Sequence, residues 1–276
     1  MKPQKSKLQI DLNKAHWFSP DLFVDSKHPY KAAEELLESL YQHSNPQRRH
    51  RAKHLPQLEI LILNLIKASK TPLGLLSISM TPEFYTELER VTFRVLIEHH
   101  VNTLKDMEWL TTHYKGSLHT GGYRTRLQLT EPMLAWLKSV SITEDQIDAR
   151  APQRILTLKN AEKAQIEIPQ ELTANAEQLS AGTRKVNDLL EKTFIDLFLD
   201  EHDLEDLQIR MSEKAEEDPL AHAHLDLTRK YLRRVFNNES LEQGGRFYDG
   251  WWQSIPIEYR QYISLNGDYV VELDYS

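Results

Sequence analysis

The residues with the clearest chemical potential in this sequence are cations set at regular intervals. Arg124 and Arg126 stand two apart in Tyr123-Arg124-Thr125-Arg126-Leu127-Gln128-Leu129. In an extended segment they share one face, and Thr125, Leu127 and Leu129 share the other. His113, Lys115 and Tyr123 flank a polar, glycine-bearing turn that precedes this segment. Arg90 and Arg94 lie one helical turn apart. Donors arranged in this way suit phosphate oxygens. His222, His224 and Asp226 are metal-ligand types, but histidines at i and i+2 point to different sides of a helix, and nothing else nearby has ligand spacing. The chain has no cysteine, which excludes disulfides, thiolate metal sites and cysteine nucleophiles and fits a reducing cytoplasm. It has no phosphate-binding glycine loop and no serine-centred nucleophile elbow.

The elements that would position these cations follow from hydrophobic periodicity. Residues 1–30 read as an irregular arm with Trp17, Phe18, Leu22 and Phe23 to pack. Residues 31–41 predict a helix stopped by Ser44-Asn45-Pro46, and residues 56–70 a second one, opened by Pro56. Residues 75–80 are short and extended. Thr81-Pro82-Glu83 is a helix start, from which the helical pattern runs, with one break allowed, to about residue 110. Alternating segments at 109–114 and 123–129 predict a hairpin, followed by a short helix over 132–140.

Helix, helix, long helix, hairpin, short helix resembles the winged-helix modules of bacterial replication and regulatory proteins, over roughly residues 55–140. The resemblance implies a hairpin wing and a recognition helix, with DNA contacted by Arg90, Arg94, His113, Lys115, Tyr123, Arg124 and Arg126. The acids Glu83, Glu87, Glu89, Glu98, Asp106 and Glu108 leave a protein-docking role for such a module open.

Ala151-Pro152 reads as a boundary. A second small hairpin spans 154–159 and 165–168, a helical region spans 169–199, and residues 200–219 are acidic and exposed. Trp251 and Trp252 on an extended segment would face opposite ways, so one belongs to a core and the other is free to stack on bases. Asn266-Gly267 between alternating runs marks a tight hairpin. The last strand, Val270-Val271-Glu272-Leu273-Asp274-Tyr275-Ser276, resembles motif A of the family A DNA polymerases. The phrases Gly244-Gly245-Arg246-Phe247-Tyr248 and Trp251-Trp252-Gln253 resemble a polymerase-related group of bacterial and prophage proteins. The resemblance implies a palm in which Asp274 ligates Mg²⁺, one of the paired ions that stabilise attacking and leaving oxygens. The sequence given supplies one such carboxylate, so it is expected to be inactive by itself and to need no cofactor. It reads as a truncated polymerase-like protein or as the N-terminal part of an active one.

The expected fold class is therefore α+β. A mainly helical N-terminal half holds a winged helix-turn-helix, and a helical region then leads to a small C-terminal antiparallel β meander. The expected division is an arm and helix (1–54), a winged-helix domain (55–150) and a third part (151–276). DNA is the expected partner, together with a protein that completes the C-terminal sheet. A net charge of −7 over 276 residues argues against indiscriminate coating of DNA and leaves a local basic face possible. No apolar run reaches the length needed to cross a bilayer.

Overall fold

The computed structural model describes residues 12, 14–25, 28–46, 49–86, 88, 90–116, 124–152, 154–217, 221–222 and 224–271. Helices and several small sheets share the chain, which forms two compact units. The first comprises residues 1–149 and 215–223, the second 150–214 and 224–276. The arm and first helix thus belong to the first unit, and the division at Ala149 falls beside Ala151-Pro152.

In the first unit the arm contributes β1 (His16–Trp17) and β2 (Leu22–Phe23). Helix α1 (His28–Ser44) ends at Asn45, whose φ of 42° turns the chain out of the helix while its N–H still reaches the Tyr41 carbonyl. Helix α2 (Arg51–Ser69) begins five residues before Pro56, and so runs longer than expected. Proline at the first helical position is the commoner arrangement. Here the bonds to the His50 carbonyl open an earlier turn, and burial of His54, Leu55 and Leu58 holds it. Strand β3 (Leu75–Ile78) is buried at all four positions.

The helical stretch expected over 81–110 has the one break allowed for it, but its pieces are not α-helix throughout. A 3₁₀ turn spans Pro82–Tyr85, a π-helix spans Arg94–Val101, and α3 spans Asn102–Asp106. Among its described residues the chain at 86–92 is non-helical, with Val91 buried, and Tyr85 at the end of the 3₁₀ turn is buried as well. Tyr85 donates to the Ser79 carbonyl at 2.7 Å, which holds the first piece apart from the π-helix. After α3, Glu108 takes a left-handed φ of 59° and the Trp109 N–H bonds the Leu104 carbonyl at 2.8 Å, closing the helix end.

Strands β4 (Leu110–Tyr114) and β5 (Thr125–Leu129) then pair antiparallel as expected, and helix α4 (Glu131–Ser139) follows. The sheet order is β1-β3-β5-β4, with β1 parallel to β3 and β5 antiparallel to both of its neighbours. A short strand, β6 (Asp148–Ala149), pairs with β2.

In the second unit β7 (Leu156–Lys159) and β8 (Gln165–Ile166) form the expected small hairpin. Helix α5 (Thr173–Glu191) stops well before residue 199, because β9 (Ile195–Leu197) follows it. The acidic stretch expected to be merely exposed is helix α6 (Glu201–Glu217), with Leu207, Met211 and Ala215 buried at intervals of four. Then come β10 (Arg233–Asn237), β11 (Ser240–Tyr248), β12 (Ile263–Leu265) and β13 (Asp268–Tyr269).

The C-terminal strands do not form the expected local meander. β10 lies between β11 and β7 and runs parallel to β7, while β12 lies between β13 and β9. Hydrophobic matching with distant strands overrides local order. Phe236 and Leu241 pack with Leu156, Leu158 and Ala176, and Ile263 packs with Ile195, Trp251 and Met211. Trp251 and Trp252 sit on a 3₁₀ turn rather than a strand, with Trp251 in the core and Trp252 partly exposed. Among the described residues no helix is long and apolar enough to cross a membrane.

Candidate functional site

The cations singled out by spacing have different fates. Arg126 does not face outward. It is 3% exposed, and its guanidinium donates to the Leu12 carbonyl, the Ser77 hydroxyl and the Arg124 carbonyl, each at 2.8 Å. The physical reason is that β5 is an inner strand. The face carrying Arg126 meets Ser77 of β3 and the arm, while Leu127 and Leu129 are buried on the other face.

Arg124, on the same side, is half-buried with its guanidinium over the Phe84 ring (4.7 Å) and the Trp17 ring (5.8 Å). Arg90 is ion-paired with Asp21 of the arm. Arg94, His113 and Lys115 are exposed. Tyr123 lies outside the described residues, as does the turn at 117–123, and so does Asp274 within 272–276. His222 and His224 stand on irregular chain rather than a helix, and His222 packs against Trp17.

The face of the π-helix and α3 turned to solvent is Arg94, Glu98, Asn102 and Asp106, four apart along the helix. Its one cation, Arg94, stands at the start of the helix, and the two carboxylates further along would repel phosphate there.

Sequence spacing missed a second constellation. His54 on α2 and His99 and His100 on the π-helix each offer a ring nitrogen, and these nitrogens lie within 4.8 Å of one another. The wide turn of the π-helix sets adjacent side chains closer around the axis than the roughly 100° of an α-helix. The Nδ1 atoms of His99 and His100 are 3.2 Å apart. The His100 Nε2–H donates to the backbone carbonyl of His54 at 3.1 Å, leaving Nδ1 with its lone pair. Tyr41 of α1 closes the cluster, its ring edge-on to His99 and tilted against His54.

His100 is fully buried and His54 is 9% exposed. Burial, with the neighbouring His99, His50 and Lys53, lowers His54 to about 4. Burial, with His99 and His54 beside it, lowers His100 to about 3, although its bond to the His54 carbonyl acts the other way. Burial lowers His99 as well. All three rings are neutral at pH 7, the form that can ligate a cation.

The sequence signal was weak. His99-His100 sits inside an apolar helical pattern, and His54 closes the basic run Gln47-Arg48-Arg49-His50-Arg51-Ala52-Lys53-His54. Only the packing of α2 on the π-helix joins them.

Comparison with known proteins finds no significant match to this chain, whether to a family model, a curated protein or a solved structure.

Proposed function

We propose that the first unit is a winged-helix module that binds nucleic acid through the rim of its β4–β5 hairpin. One observation carries this reading: the succession α2, β3, 3₁₀ turn, π-helix with α3, β4, β5, with β5 antiparallel between β3 and β4. That order supports the winged-helix reading, with the β4–β5 hairpin in the place of a wing. Lys115 and His113 on the hairpin, with Arg94 at the start of the π-helix, supply exposed donors for phosphates. Arg124, its guanidinium over the Phe84 and Trp17 rings, steadies the turn side of the hairpin, just before β5. The acidic solvent face of the helix disfavours insertion into a groove, so the hairpin leads the contact.

We also read residues 230–276 as the opening of a family A polymerase-like palm, with Asp274 as a Mg²⁺ ligand. This rests on the sequence phrases alone, and no catalytic step is assigned to the chain.

The test is fluorescence anisotropy with labelled duplex and single-stranded DNA at two salt concentrations. It compares the wild type with an Arg94→Ala/Lys115→Ala variant. The expected result is an affinity that falls with salt, with the dependence reduced by about two counterions in the variant. Absence of binding by the folded wild type at low salt would sink the reading. It would favour protein docking, for which the acidic helix face is suited.

A further inference from the structure

The histidine cluster holds three buried polar atoms that have no hydrogen-bond partner: Tyr41 Oη, His54 Nδ1 and His99 Nε2. A buried group left unpaired has lost its water partners and gained none in exchange. A bond from a protonated His99 Nδ1 to His100 Nδ1 would explain the 3.2 Å contact but would satisfy none of the three. A cation held by the Nδ1 atoms of His99 and His100 explains the contact and gives His54 Nδ1 a partner, although His99 Nε2 stays outside its coordination. Two nitrogens about 2.0–2.1 Å from one tetrahedral zinc stand roughly 3.3 Å apart.

We propose that His54, His99 and His100 form a binding site for a divalent transition-metal ion, zinc in the first instance. Imidazole ligands select the borderline ions zinc, copper, nickel and cobalt over magnesium or calcium. The site already holds the outer contact typical of a ligating histidine, since His100 gives its second N–H to a backbone carbonyl that fixes ring and tautomer. The rings are neutral near pH 7, so the ion does not compete with protons. The fourth position belongs to water, with Tyr41 bordering it. Because the ligands come from α2 and the π-helix, the ion ties these two elements together. It also accounts for the π-helical turn, a wound-out geometry that recurs at binding sites. The site is independent of the nucleic-acid reading and stands or falls without it.

The experiment uses the full chain stripped with EDTA and dialysed free of chelator, then titrated with Zn²⁺ by calorimetry and with Co²⁺ by visible absorption. One ion per chain is expected, with a dissociation constant at or below the micromolar range. The intense visible bands of tetrahedral Co²⁺ and a rise in Tm on metal addition should accompany it. His99→Gln, at a half-exposed position, should keep the fold by circular dichroism while weakening binding at least 30-fold. His54→Gln should do the same. The proposal is overturned if the folded, stripped wild type binds no ion at stoichiometric concentration. It is equally overturned if both variants bind as the wild type does, which would place the ion elsewhere. Should His54→Gln unfold, His99→Gln alone decides.

Discussion

The Nε2–H of His100 and the main-chain carbonyl of His54, 3.1 Å apart, tie a π-helix side chain to the backbone of α2. His100 can donate this bond whether its ring is neutral or protonated, so it is burial of the ring, and not the bond, that resists a second proton. Both histidines have lowered pKa values in the folded protein, so the folded state resists the protons that the unfolded chain accepts below about 6.5.

The sign of the acid response follows. The contribution of these rings is fully present above pH 6.5 and is lost as pH falls toward the folded values of about 4 for His54 and about 3 for His100. At pH 5, with chelator present, unfolding should require about 2 kcal/mol less per histidine than at pH 7.5. Urea denaturation at the two pH values checks this, and His54→Gln should reduce the difference by about half. A midpoint unchanged from pH 7.5 to 5 would contradict it.

Arg126→Met removes a guanidinium with three acceptors inside the sheet. Stability should drop by about 2–4 kcal/mol, since the Leu12 carbonyl and Ser77 hydroxyl stay buried without their donor. Where the variant is folded, its affinity for DNA should stay within about twofold of the wild type. A large affinity loss at unchanged stability would return Arg126 to the interface.

Asn64 is fully buried on α2 and fastens the arm. Its amide oxygen accepts from the Ser19 N–H at 2.8 Å and faces His16 Nε2 at 3.2 Å, and its amide nitrogen donates to the Ser19 carbonyl at 2.8 Å. Asn64→Leu should cost about 2–3 kcal/mol, through the stranded Ser19 groups. Hydrogen exchange should reveal more: residues 16–19 should lose protection first, before the rest of the sheet.

Two glycines should respond in opposite senses to alanine. Gly245 has a φ of +71°, and an added Cβ would come within 2.8 Å of the Phe236 ring. Gly245→Ala should destabilise by about 1–3 kcal/mol. Gly182 lies inside α5 with open space around its Cα, so Gly182→Ala should stabilise by about 0.5–1 kcal/mol. Thermal unfolding of both variants side by side checks the pair.

Much of the fold was legible because it is local. The i, i+3, i+4 pattern gives α1, glycine-bearing turns between alternating runs give β4–β5, and Asn266-Gly267 gives the β12–β13 turn. What was not legible depends on partners far along the chain. No spacing rule foretells that β10 runs parallel to β7, because that pairing is decided by Leu156, Leu158 and Phe236 sharing one core. The same limit applies to the cations. Period two sets Arg126 on the face opposite Leu127, but does not tell that the arm covers that face. The histidines belong to this class as well, since 45 residues separate His54 from His99 and only tertiary packing closes the distance.

The parallel pairing of β1 with β3 has a consequence for any shortened form of the protein. Among the described residues, His16, Trp17 and the Phe18 N–H pair with β3 along that border of the sheet. A chain beginning after Phe23 would leave β3, apolar at three of its four positions, as a bare edge strand with unpaired main-chain groups. Such an edge is a template for a second chain. The characteristic failure of that truncation is therefore strand-to-strand self-association at concentrations where the intact protein stays apart.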